Sequence, residues 1–353
     1  MGIIDEVPRA VRNIWSVSFG GGLEPYRPAP STTVADGPHR ELKRYHRSTP
    51  AKGNPVLLVP PLAVTASCFD LRPGQSLVRY LLDQGRQPYV VDYGEFGYAD
   101  RDMGLEDWTH DILPEAIRRV SAEHDGAEVD LIGWSLGGVF ALLTAASHAD
   151  LPIASITCLA SPIDQAGTAM LMPLRLLAKV TGGREMALAV KIMGGIPQEF
   201  VRLGFRIQAL DRELARPMYM ARNAFDPEAL ARMEATDRFM STMPGYPGRS
   251  YWQIHRGLVL GNELANGSLR LRSDLVIELS KVTCRVLLAG SRSDVVVPAA
   301  AIRRGLEVLP NAEVEFVEVS GGHLGLLASP AAADTTWPAI EEFLSREPAT
   351  VPA

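Results

Sequence analysis

The pentapeptide Gly133-Trp134-Ser135-Leu136-Gly137 puts a serine between two glycines, after the apolar run EVDLIGW at 128–134 and before the helical run GGVFALLTAASH. A strand, a tight turn and a helix in that order lift a serine hydroxyl above the end of a sheet. Glycine fits there because the turn is strained and neighbouring backbone passes where a Cβ would clash. A serine hydroxyl is a weak nucleophile, so it needs a base for its proton and a third group to orient that base. In this layout both partners come later in the chain, the acid after a late strand and the histidine after the last one. The run CRVLLAG at 284–290 leads into Ser291-Arg292-Ser293-Asp294, and EVEFVEV at 313–319 leads into Ser320-Gly321-Gly322-His323. Of the seven histidines only His323 follows a predicted strand in a glycine-rich loop. Asp92, at the end of PYVVDY, also follows a predicted strand and stands as the alternative acid. A plainer reading makes Ser135 an ordinary helix cap.

Acyl transfer from such a serine passes through an oxyanion that needs preorganised N–H donors. The backbone N–H of Leu136, directly after the serine, supplies the first. The turn VPPLAV after PVLLVP supplies the second, and Leu62 is preferred over Ala63, because Pro60 and Pro61 have no N–H to give. The helix dipole beginning at Leu136 favours negative charge at the same point.

These residues need a parallel sheet to hold them. Apolar β-like runs at 55–60, 88–93, 128–134, 154–160, 284–290 and 313–319 alternate with helical stretches near 74–85 and 105–123. The runs are continuous, as strands buried on both faces should be, so the expected class is α/β with helices on both faces of a mostly parallel sheet. Residues 1–47 combine a short amphipathic stretch (Ile3, Ile4, Val7, Val11, Ile14, Trp15) with a Gly- and Pro-rich connector and read as an extension. Residues 48–165 and 276–347 form the core, 166–275 a helical cap and 348–353 a tail. No convincing strand is expected between 160 and 284, and a structureless loop of that length is improbable inside a compact domain. Nine of the eleven methionines lie between Met170 and Met243. That bias fits either a plastic helical core or a lid over an apolar substrate.

With 46% hydrophobic and 22% charged residues the chain can build a sizeable core, and a net charge of −6 argues against nucleic acid as a partner. The cap is the basic part: from 166 to 256, 13 Lys plus Arg face 8 Asp plus Glu, a surplus of +5. Such a surplus suits an anionic head group or peripheral contact with a lipid surface. Cys68, Cys158 and Cys284 show neither metal-ligand spacing nor a disulfide framework. No secretory signal or membrane-spanning run is evident, so a cytoplasmic location is expected. No cofactor or metal motif is present, and a homo-oligomer remains compatible with the composition.

From about Pro55 to Pro330 the chain resembles the polyhydroxyalkanoate synthase-like branch of the α/β-hydrolases. The stretches that carry the resemblance are PVLLVPPLAVTASCFDLRPGQSLVRYLLDQG, DLIGWSLGG, GNELANGSLRLRSDLVIELSKVTCRVLLAGSRSDVVVP and GGHLGLLASP. It implies the α/β-hydrolase fold, with catalytic aspartate and histidine at Asp294 and His323 and the nucleophile at Ser135. At that last position the resemblance implies cysteine in the polymerases, so the serine is a departure. The expectation is therefore a serine hydrolase of esterase, lipase or thioesterase type, acting on an apolar acyl ester or thioester such as a lipid ester, a hydroxyalkanoate ester or acyl-CoA. The alternatives are an acyltransferase or polymerase using the same serine, and, from another class, a non-catalytic binding or partner subunit of the same fold.

Overall fold

The apolar runs read from the sequence pair into one eight-stranded sheet. The computed structural model describes residues 3–18, 21–168, 171–172, 175–176, 178, 190–208 and 210–346. The strands are β1 (Ser31–Ala35), β2 (Glu41–Tyr45), β3 (Val56–Val59), β4 (Pro88–Asp92), β5 (Val129–Trp134), β6 (Ile153–Leu159), β7 (Arg285–Gly290) and β8 (Val314–Glu318), ordered β1-β2-β4-β3-β5-β6-β7-β8. From β4 to β8 every neighbour is parallel, whereas β1 and β2 are antiparallel to each other and β2 to β4.

Alternation along each strand feeds two cores. Leu57 and Val59 of β3 and Leu131 of β5 face one side, against α3 (Leu113–Ala122) and α4 (Leu136–Ser147). Val56 and Leu58 of β3 and Ile132 of β5 face the other, against α2 (Leu77–Asp83) and the C-terminal helix Thr336–Ser345. Strands sandwiched this way are apolar at most positions, which is why they read as near-continuous runs. Each fully buried Leu, Val or Ile contributes about 1.5–3 kcal/mol.

Two expectations are corrected. The supposed extension supplies β1 and β2 to the main sheet. All five residues of β1, STTVA, are exposed or half-buried, because an edge strand has little to cover. The stretch expected to lack strands carries two short pairs: Gly195–Ile196 with Tyr246–Pro247, and a hairpin of Ser268–Arg272 with Leu275–Glu278. Leu269, Leu271 and Ile277 of that hairpin join the same core as α4.

Among its described residues the cap region also carries the helices α5 (Gln198–Gln208), α6 (Leu210–Arg222) and α7 (Pro227–Ser241). Asp226 caps α7 by accepting from the Ala229 N–H at 2.9 Å, and Pro227 fills the first helical position, where no N–H is needed. Polar clamps tie α7 to the rest. Buried Arg72 grips Glu228 at 2.6 Å and Glu24 at 3.0 Å, and the Leu23 N–H donates to Glu234 at 2.7 Å. The N-terminal helix α1 (Ile3–Ser18) reaches the same region, where Asn13 Nδ2 donates to the Ala224 carbonyl at 3.1 Å. Of the methionines in the biased stretch, Met170 and Met186 lie outside the described residues. Among the described residues, no helix is long and apolar enough to cross a membrane.

One buried acid makes stability depend on pH. Asp130 sits at the start of β5, 2% exposed, and accepts from Ser155 Oγ at 2.5 Å. Burial pushes its carboxyl up to about 6. The folded chain therefore holds a proton that the unfolded chain releases near pH 4, and stability falls as pH rises from about 4 to 6 and stays reduced above that. The penalty at neutral pH is about 3 kcal/mol. Asp130→Asn should be more stable than the parent at pH 8, with the advantage vanishing near pH 4, measured by urea melts across that range. A constant difference at all pH values would refute this account.

Candidate active site

Four segments at the C-terminal ends of β3, β5, β7 and β8 carry the candidate residues. After β5 the chain turns through Ser135, whose φ of 53° and ψ of −122° lie far from ordinary helix or strand values, and α4 starts at the next residue. Neighbouring backbone explains the flanking glycines. A Cβ on Gly133 would lie 2.3 Å from the Gly138 nitrogen, and one on Gly137 would lie 2.0 Å from the Val59 carbonyl oxygen. Both obstacles are main chain, which cannot swing aside as a side chain would.

The contact at Gly137 also brings the loop after β3 against the start of α4. Pro60 and Pro61 follow Val59, then buried Leu62, then Ala63 in the left-handed region at φ 57°. A non-glycine residue there is uncommon, and such strain persists only where its surroundings hold it. The backbone of Val59 and Pro60 thus lies against the first turn of α4, close after Ser135.

Asp294 lies in the turn after β7 and is 2% exposed. One carboxylate oxygen accepts from the Val296 and Val297 N–H groups at 2.8 and 2.9 Å. The other meets His323 Nδ1 at 2.7 Å. The carboxylate is thereby fixed at both oxygens, and the imidazole is fixed through one nitrogen. Asp92, the alternative acid, is engaged elsewhere: it pairs with Lys43 at 3.0 Å and accepts from the Gly94 N–H at 3.1 Å.

Trp134 was not singled out by the sequence for more than its place in the pentapeptide. Its indole Nε1 donates to the His323 carbonyl at 3.0 Å, and the two rings lie 5.2 Å apart. One residue before the serine therefore grips the histidine loop. Nothing in the sequence marks that bond, which joins positions 189 residues apart.

Trp134 and His323 also line a cavity of about 530 Å³, with Phe239, Met240, Met243 and Leu324 among its other walls. Ser135 lies outside this wall, and its chain neighbour Trp134 belongs to it. α7 contributes most of the cap side, and three of the clustered methionines, Met233, Met240 and Met243, face the cavity. The space is apolar, with arginines Arg216 and Arg232 at its border.

No thiol competes with the serine. Cys68 and Cys158 are buried, and burial raises both well above the usual thiol range; Cys284 is pushed up to about 12. A thiol held protonated is a poor nucleophile. Among the described residues, no cluster of three His, Cys, Asp or Glu side chains could hold a metal ion.

Comparison with known proteins agrees with this architecture. The poly(3-hydroxyalkanoate) polymerase subunit PhaC of Allochromatium vinosum is 26% identical over 312 residues, covering 86% of this chain and 85% of that protein. Its counterpart from Synechocystis sp. is 25% identical over 296 residues, covering 82% and 77%. The solved monoacylglycerol lipase of Paleococcus ferrophilus superposes with a TM-score of 0.51 at 19% identity, over 86% of this chain and 98% of that one, a likeness of fold. The family model described as "Alpha/beta hydrolase family" matches residues 56–333, most of the sequence, and the chain belongs to that family.

Proposed function

We propose that the protein is a serine hydrolase that cleaves an apolar acyl ester or thioester through an acyl-serine intermediate. Ser135 attacks the carbonyl carbon, His323 takes its proton and returns it to the leaving group, and Asp294 holds the imidazole in the required tautomer. The N–H groups of Leu136 and Leu62 receive the oxyanion. Water then attacks the acyl carbon and frees the acid. The observation that carries this reading is the 2.7 Å Asp294–His323 pair, held against the serine turn by Trp134 and opening onto an apolar cavity.

A second reading has a specific motive. Relatives that match over more than four-fifths of the chain are named as polymerases, which favours transfer of the acyl group to a growing chain. The serine weighs against it. An alkoxide is a poorer leaving group than a thiolate, so passing the acyl group on to a growing chain is harder from Ser135 than it would be from a cysteine. The deciding experiment supplies 3-hydroxybutyryl-CoA and, separately, a lipid ester, and quantifies free acid, free CoA and chain-extended product by mass spectrometry. Free acid in excess supports hydrolysis, and oligomer accumulating faster than acid establishes the second reading.

The cavity's apolar wall sets a further expectation. On p-nitrophenyl esters the rate should climb from acetyl toward medium or long acyl chains, each methylene contributing up to about 0.8 kcal/mol while room remains. A strict preference for acetyl would contradict an acyl site under the cap.

A further inference from the structure

The cap concentrates exposed apolar side chains. Of the eighteen large hydrophobic residues that stand exposed among the described residues, eleven lie between Met172 and Phe225, so the outward apolar surface belongs mainly to this stretch. On α5, Phe200, Leu203 and Ile207 stand at i, i+3 and i+7, share one face, and are each more than half exposed. The other side holds the helix down: Val201 is buried, and Arg202 Nε donates to the Met243 carbonyl at 3.1 Å. A surface helix normally turns its apolar stripe inward, whereas α5 leaves three large residues on its outer face.

Helix α6 packs against α5 and has two faces of its own. Ala215, Arg216 and Tyr219 line the cavity, while Leu214 and Met218, one turn apart, are more than half exposed. Positive charge accompanies this surface. From 190 to 225 six Lys and Arg stand against three Asp and Glu, in a chain whose net charge is −6. Lys191, Arg206 and Arg222 are exposed and have no carboxylate partner among the described residues. Arg206 lies within a turn of Leu203, and Arg222 one turn beyond Met218.

We propose that the outer face of α5 and α6 docks on an anionic lipid surface. Phe200, Leu203, Ile207, Leu214 and Met218 enter the acyl boundary, and Lys191, Arg206 and Arg222 meet the head groups. Bulky apolar side chains edged by basic ones are the composition of helices that lie in a membrane interface. A second copy of the chain fits this face less well. A two-fold contact would bring the three free cations near their own counterparts, whereas anionic head groups neutralise them. In the docked state α6 has lipid on one side and the cavity on the other. Docking needs no turnover, so it is independent of the choice between hydrolysis and transfer.

The test is flotation of the full chain with vesicles of phosphatidylcholine, and with vesicles of equal parts phosphatidylcholine and phosphatidylglycerol. At low ionic strength the parent protein should partition onto the mixed vesicles at least about tenfold more strongly, with the difference shrinking as salt is added. Phe200→Ser, Leu203→Ser and Ile207→Ser combined should lower binding to the mixed vesicles by about tenfold. Its thermal melt should match the parent's, because the three side chains are exposed. Lys191→Gln, Arg206→Gln and Arg222→Gln combined should remove the preference for the anionic vesicles, a result that does not depend on the serine variant folding.

Absence of binding to the mixed vesicles, equal binding to both kinds, or a preference that survives the glutamine substitutions overturns the proposal. So does light scattering that shows a parent dimer with no affinity for vesicles and a monomeric serine variant, which would give the face to a second copy of the chain.

Discussion

Ser135→Ala is expected to abolish both turnover and labelling by a fluorophosphonate probe. Removal of the nucleophile from such a triad lowers kcat by about 10⁶, the size measured in subtilisin. The fold should survive, for two reasons. The Ser135 side chain makes no capping hydrogen bond that the substitution would break. Alanine also tolerates positive φ at this end of the sheet, at Ala63 and Ala160. Unchanged circular dichroism with loss of labelling would assign the hydroxyl. Labelling that persists would place the nucleophile elsewhere and remove the basis of the proposed mechanism. A chain of the non-catalytic class would show no labelling even before substitution.

The second large effect is expected at Asp294. In the Asp294→Asn variant an amide NH₂ would face His323 Nδ1, so the imidazole would have to present an acceptor there and carry its proton on the nitrogen that should receive the serine's. An equivalent change in a serine protease lowers kcat by about 10⁴. Asp92→Asn should stay within a few-fold of the parent, because Asp92 is occupied with Lys43. The reverse outcome would move the acid to position 92. His323→Ala should lose most of the rate, since it removes the group that takes the serine's proton.

Most of the parallel strands were legible because burial on both faces favours near-continuous apolar runs, so the pattern of the sequence reports burial. β1 was not, since STTVA at the sheet edge buries none of its residues fully and carries no such pattern. The hairpin at 268–278 does alternate, SLRLR burying Leu269 and Leu271 and exposing the arginines at 270 and 272, but its few residues lie within a long helical stretch. At the site, position after a strand pointed to Ser135 and His323 and left Asp294 and Asp92 as rival acids, and the structure brings Asp294 into contact with His323. Trp134 could not be found that way. Its bond reaches across 189 residues, and its partner, the carbonyl of His323, has no side-chain identity for a sequence to display.

The order of strands also governs how the chain emerges from a ribosome. β6 pairs with β7 through partners such as Ser155 and Arg285, yet the cap region separates them. During synthesis β1 to β6 are all available while the far edge of β6 has nothing to pair with. At roughly 5–20 residues per second, the next strand arrives about 6–25 s later. For that interval a flat, apolar strand edge is open to other nascent chains, and the cap helices made in between are the segment at hand to shield it. Asp294 and His323 follow only after that edge is covered, so a truncated product ending in the cap would carry the serine turn with neither of its partners.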